Sequence, residues 1–140
     1  MSYYGSNSQR TEIIRIHKLT LVRVSGAGKV LVIDGGGNMH SAIVTKAAVD
    51  FAKIAGWQGV IVHGVIQNAV DIQTVGIGVK ALGTYPSKGK ATSGSKGSVL
   101  NIAGMQFATN MWVYCDKVRE TNLVPHLSLQ SGIQLNRTPL

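Results

Sequence analysis

The chain has 140 residues, 44% of them hydrophobic and only 14% charged, enough to bury one core and too few for two domains. Its single cysteine, Cys115, rules out an internal disulfide, its four histidines are scattered rather than set at zinc-binding spacing, and no apolar run approaches the ~18 residues of a membrane-spanning helix. The net charge of +8 favours acidic partners, and MSYYGSNSQR lacks the apolar core of a secretory signal, so an intracellular site, cytoplasm or organelle matrix, is expected.

Residues 1–12 are read as a flexible N-terminal arm, opening in Ser, Asn, Gly and Tyr. Over Ile13 to Val24 the side chains of Ile14, Ile16, Thr20, Val22 and Val24 recur at period two, which favours a strand over the alternative of a short helix. Ser25 to Gly28 form a turn. Val30 to Ile33 are apolar on both faces, as in a strand buried inside an α/β layer. That strand runs into Asp34, then Gly35, Gly36, Gly37 and Asn38. Three residues without a Cβ fit either a tight strand-to-helix turn or a cradle of free amides at a helix N-terminus. Ser41 to Ala55 carries apolar residues at spacings of three and four, predicting an amphipathic helix that Gly56 closes. Gly59 to Val65 is a second buried strand, so residues 29–65 form a βαβ unit.

A short helix is expected at Asn68 to Val75, a strand at Val79 to Gly83, and further strands at Val99 to Ile102, Met105 to Ala108 and Trp112 to Cys115. Cys115, in its strand-like context, reads as structural. Residues 13–122 make the domain, and 123–140 a tail without clear period that packs on a partner.

No Asp or Glu lies between Asp71 and Asp116, which leaves Lys80, Lys88, Lys90 and Lys96 unopposed. Three of them fall in YPSKGKATSGSKGS, a basic loop suited to phosphates or to an acidic protein face, and equally to a solvated surface. Tyr85 is its only neighbouring aromatic, so no stacking platform for single strands is visible. The glycines of DGGGN do not match G-x-G-x-x-G, and Gly89-Lys90 lacks the remainder of a Walker loop, so dinucleotide and nucleoside-triphosphate binding are disfavoured.

KVLVIDGGGNMHSAIV, GWQGVIVHGVIQNAVDI and IGVKALGTYPSKG, in this order and spacing, resemble the regulator of ribonuclease activity A family, which includes the 4-hydroxy-4-methyl-2-oxoglutarate aldolases. The resemblance covers roughly Gly26 to Asp116. It implies an α/β fold, a swivelling β/β/α-type domain with the βαβ unit at its centre, assembled as a ring-shaped trimer with sites at subunit boundaries. It also implies that part of Ile13 to Val24 is helical, and that several dozen residues of the family's N-terminal portion are absent here.

Active aldolases of the family carry an acid, a twenty-residue spacer, an Arg-Asp pair and a further acid three residues on. Cleaving or decarboxylating a 2-oxo acid produces a pyruvate enolate, which calls for a divalent metal on carboxylates and an arginine on the substrate carboxylate. In this chain the three positions are Lys46, Gln67 and Asn68, and only Asp71 keeps its acid; Thr45 and Ala47 replace the residues flanking the first. A lysine repels a metal, and glutamine cannot form a guanidinium fork. Lys46 and Asp71 also fit plain exposed helix positions, and His40 and His63 read as packing or hydrogen-bonding residues.

No resident metal or cofactor is expected. The expected function is a non-catalytic regulator or structural subunit of an RNA-processing or ribonucleoprotein complex. Its partners would be further copies of the chain or other proteins, with RNA reached through residues 85–98. The alternative is a magnesium-dependent aldolase or decarboxylase using Asp71 with Asp34 or a neighbouring subunit's carboxylate.

Overall fold

In the computed structural model the described residues are 9–15, 26, 28–90, 95–96, 99–102, 104–108, 111–115 and 133–136. In chain order the elements are β1 (Gln9–Arg15), β2 (Lys29–Asp34), β3 (Ala42–Val44), α1 (Lys46–Ile54), β4 (Gly59–Ile66), α2 (Ala69–Ile72) and β5 (Gly78–Thr84). They continue with β6 (Ser95–Lys96), β7 (Val99–Ile102), β8 (Met105–Ala108), β9 (Trp112–Cys115) and β10 (Ile133–Asn136). The main sheet runs β10-β9-β1-β2-β4-β3, with β5 on β4 and β6 on β1, while β7 and β8 form a separate hairpin.

Strands β2, β4 and β5 lie parallel and side by side, and each buries residues on both of its faces. The pleat therefore sorts their side chains into two cores. Leu31, Ile33, Val60, Val62, Val79 and Ala81 face one way, packing with Ala48, Val49 and Ala52 of α1 and with Trp57, Ile72 and Val75. Val30, Val32, Ile61 and Leu82 face the other, against Leu100, Ile102 and Phe107 of the β7–β8 hairpin and Val113 of β9. Helices, parallel sheet and hairpin thus stack in three layers, the β/β/α order that the resemblance implies. The expected strands at residues 99–102, 105–108 and 112–115 are β7, β8 and β9. Among the described residues no helix is long and apolar enough to cross a membrane.

Other expectations change. β1 begins at Gln9, within the stretch read as an arm, and pairs in parallel with β2 from Arg10 to Ile14. The remainder of the expected Ile13 to Val24 strand, residues 16–24, lies outside the described residues.

The helix expected over Ser41 to Ala55 is divided, with β3 first and α1 starting at Lys46. Ile43 and Val44 sit at helical spacing from Ala47 and Ala48, but both are β-branched and suited to a strand. A vacant stretch of edge on β4 decides the matter. Strand β2 covers Gly59 to His63 of β4 and stops, β5 occupies the opposite edge, and β3 pairs with Val65 and Ile66 beyond the end of β2. The three glycines consequently join strand to strand, not strand to helix.

The short helix expected over Asn68 to Val75 is confined to α2, and β5 is one residue longer at each end than expected. Part of the expected tail is the strand β10, antiparallel to β9; residues 116–132 and 137–140 lie outside the described residues. Four residues, IQLN, carry too little alternation to announce a strand without their partner.

Candidate functional site

Ligands of open parallel sheets bind beyond the carboxyl ends of the strands, and here those ends carry the loops 35–41, 67–68 and 85–90. In the first loop Asp34 Oδ1 accepts the Gly36 amide at 2.9 Å and lies 3.0 Å from His63 Nδ1. The His63 carbonyl accepts both the Gly35 amide, at 3.0 Å, and the Gly37 amide, at 3.1 Å. The amides that a phosphate cradle would offer are therefore used within the protein.

Sterics account for the glycines as well. A Cβ on Gly35 would overlap Ile43 Cδ1 and stand 3.0 Å from the His63 carbonyl oxygen. Gly36 and Gly37 have φ of +69° and +73°, the left-handed region that favours glycine. Asn38 completes the turn, taking the His40 amide on Oδ1 at 2.8 Å and donating from Nδ2 to Ser41 Oγ at 3.0 Å. Of the two histidines among the described residues, His63 is packed against Asp34, while His40 is exposed.

The positions marked by the resemblance lie around the ends of β3 and β4. Thr45 enters α1 with extended backbone angles, and Lys46 occupies the first helical position. Its Nζ makes a 2.7 Å ion pair with Asp50, and the two side chains are 40% and 41% exposed. An exposed pair of this spacing contributes about 0.3–0.5 kcal/mol, so it orients Lys46 more than it stabilises the fold. A lysine at a helix N-terminus also opposes the helix dipole, where an acid would be favoured.

Gln67 ties three segments together. Its amide donates to the Val44 carbonyl at 2.9 Å, and its side-chain Nε2 donates to the Pro86 carbonyl at 2.6 Å. The neighbouring Tyr85 amide donates to the Ile66 carbonyl at 2.9 Å.

Asn68 has φ +61° and ψ +46°, the only non-glycine residue at positive φ among the described residues. Asn, Asp and Gly tolerate this conformation where branched residues do not, so Asn can stand in an Asp position without backbone cost. Asn68→Val should lose about 1–2 kcal/mol of stability and Asn68→Asp almost none, as read by urea unfolding. Asp71 is exposed on α2, and the Thr74 hydroxyl donates to its backbone carbonyl, not to its carboxylate.

The donor set fits a divalent ion poorly. Lys46 is cationic, the Gln67 amide is turned to Pro86, Asn68 is neutral, and only Asp71 is a carboxylate. The Asp34 carboxylate belongs to the glycine turn through Gly36 and His63. Among the described residues no three His, Cys, Asp or Glu are placed to hold a metal ion.

The expected basic loop is not one unit. Lys80 lies on β5, is only 4% exposed, and alternates with Val79 and Ala81 so as to share the face of Leu82. Its VKALG setting, an alternating strand, was the signal for this placement. Lys96 lies on β6, whose partner is β1, with Lys96 opposite Ile14. Lys88 and Lys90 are exposed and remain together, while residues 91–94 and 97–98 lie outside the described residues.

A fold of three β/β/α layers, with a glycine turn at the end of β2, is that of a class already known. The chain belongs to the RraA-like family, described as Aldolase/RraA, whose model matches residues 13–118. A relative from Dechloromonas aromatica (strain RCB), named "Putative 4-hydroxy-4-methyl-2-oxoglutarate aldolase", is 41% identical over 93 residues, covering 66% of this chain and 57% of its own. A relative of the same name from Burkholderia multivorans (strain ATCC 17616 / 249) is 35% identical over 102 residues, covering 69% of this chain and 62% of its own. The chain thus spans about three fifths of the length of these curated relatives.

Among solved structures, the RNA-processing inhibitor RraA from Thermus thermophilis superposes with a TM-score of 0.80 at 24% identity, over 99% of this chain and 82% of that one. A structure described as S-adenosylmethionine: 2-dimethylmenaquinone methyltransferase, from Geobacillus kaustophilus HTA426, matches with a TM-score of 0.69 at 32% identity, over 83% of this chain and 77% of that one.

Proposed function

We propose that this chain uses the RraA-like fold without catalysis, as a regulator or structural subunit of an RNA-processing or ribonucleoprotein assembly. The observation that carries the reading is the state of the family's site positions. Lys46 is held by Asp50, the Gln67 amide by Pro86, and Asp71 is the one acid left of the expected set. A pyruvate enolate would find there neither a guanidinium clamp nor the carboxylates that retain a metal. The link to RNA comes from similar folds that are themselves described as an RNA-processing inhibitor and as a member of the RNase ES inhibitor RraA family. It is an argument by fold analogy.

The second reading is a magnesium-dependent aldolase or decarboxylase acting on 4-hydroxy-4-methyl-2-oxoglutarate or oxaloacetate. The name carried by the 41% identical relative and the retained Asp71 favour it. Magnesium belongs to this reading alone.

Thermal unfolding with and without magnesium separates the two. A site filled at tenfold over its Kd adds about 1.4 kcal/mol, a readily measured rise in Tm. The wild-type chain should show no such rise, whereas the combined change Lys46→Asp, Gln67→Arg and Asn68→Asp should create one. A magnesium-dependent rise in the wild type that disappears in Asp71→Ala would support the enzyme instead.

A further inference from the structure

We propose that Lys88 and Lys90 form a fixed ridge that seats the phosphodiester backbone of RNA without reading its sequence. The inference rests on the proposed place of the chain in an RNA-processing or ribonucleoprotein assembly. It adds the residues, and the mode, of a direct contact.

The segment that carries the two lysines is anchored from Tyr85 to Gly89. It leaves β5 with Tyr85 bonded to Ile66 and Pro86 bonded to Gln67. It then runs beside β3: the Ala42 amide donates to the Ser87 carbonyl at 2.9 Å, and the Gly89 amide donates to the Ala42 carbonyl at 3.0 Å. These bonds make a parallel bridge between Ala42 and Lys88. A Cβ on Gly89 would come within 2.9 Å of Ser41 Oγ. Lys88 and Lys90 flank this glycine, and both are exposed. A backbone already ordered loses little entropy when a partner binds.

Charge and side-chain type define the partner. From residue 72 to residue 115 the chain has no acid to offset these lysines, and from residue 24 to residue 118 it has no arginine. Lysine acts as a point charge and lacks the planar fork that grips a carboxylate or a guanine edge in two bonds. Tyr85 is half-buried, so the ridge offers no base a stacking surface. What remains is a pair of like point charges on one short segment, which successive phosphates of a strand can match. Contacts of that kind position a nucleic acid without specifying its sequence.

The test uses the full chain, a fluorescently labelled RNA hairpin and, separately, a labelled polyglutamate peptide, with binding followed by anisotropy across a salt series. Wild-type protein should bind the hairpin with log K falling linearly against log salt. Replacing both lysines, Lys88→Ala with Lys90→Ala, should flatten that slope by about 1.4–1.8, the contribution of two phosphate contacts. The pair Lys88→Arg with Lys90→Arg should keep the slope, and circular dichroism should show the alanine variant folded. No hairpin binding, an unchanged slope in the alanine variant, or binding of polyglutamate in place of RNA would each overturn the ridge. Pyruvate release from oxaloacetate by the same preparations is a separate readout: turnover would defeat the non-catalytic reading, whatever the salt slopes show.

Discussion

Replacing Trp57 with alanine should lower the stability of the chain by about 3–5 kcal/mol, the range for deleting a large buried aromatic. Trp57 is 1% exposed and sits where the end of α1, the entry to β2 and the helix-side core meet. Its position is set by how α1 ends. Gly56, at φ +88°, donates to the Lys53 carbonyl and Trp57 to the Ala52 carbonyl, each at 3.0 Å, the paired bonds of a Schellman cap. The residue after the cap glycine is thereby turned back onto the helix and into the core. Gly26 permits the fit, because a Cβ there would stand 2.5 Å from Trp57 Cγ and 2.6 Å from its backbone nitrogen.

Against the roughly 5–15 kcal/mol of a whole domain, this loss is large. It should shift Tm by roughly 10–20 °C for a chain of this size. Urea unfolding followed by far-UV circular dichroism measures it independently of tryptophan fluorescence. A loss below about 1 kcal/mol would mean that the indole is not the packing centre described.

The second large effect concerns chemistry. Cleavage or decarboxylation of a 2-oxo acid by this chain should fall at least ~10³-fold below that of an active aldolase of the family, since removing a single group that stabilises developing negative charge already costs about 10²–10³ in rate. On the proposed reading an arginine, two acids and, through them, the metal are affected together. Such losses are not additive, because the groups act as a unit, so restoring one alone should recover little. Lys46 adds a change of sign. A carboxylate attracts a divalent ion and an ammonium repels it, and with its side chain 40% exposed, solvent screening reduces the repulsion without reversing it.

Much of the fold is legible in the sequence, for identifiable reasons. VLVI in β2 and GVIVHGVI in β4 are apolar on both faces, and only a strand covered by two layers needs that pattern. The features that escape a linear reading depend on distant partners. Ile43 and Val44 look helical beside Ala47 and Ala48, and become β3 because β4 leaves an edge open past the end of β2. IQLN becomes β10 only because β9 is there to pair with it. Lys80, unopposed when charges are counted along the chain, lies in the strand expected at Val79 to Gly83, and only its burial needs the fold.

The site divides in the same way. Positions 46, 67, 68 and 71 are found by resemblance to a family, since spacing alone gives them no meaning. Their present bonds, Lys46 to Asp50 and Gln67 to Pro86, appear only in three dimensions. The three glycines are conspicuous in sequence and fit a turn or a cradle; Ile43, His63 and two left-handed residues show them to be a packed turn.

Pyruvate release from oxaloacetate at saturating magnesium, measured against the protein-free background, tests the central claim most directly. The purified chain should release no more pyruvate than magnesium alone, and Asp71→Ala should leave that unchanged. Release that requires both protein and magnesium, and that is lost in Asp71→Ala, would contradict the account and make this chain an enzyme.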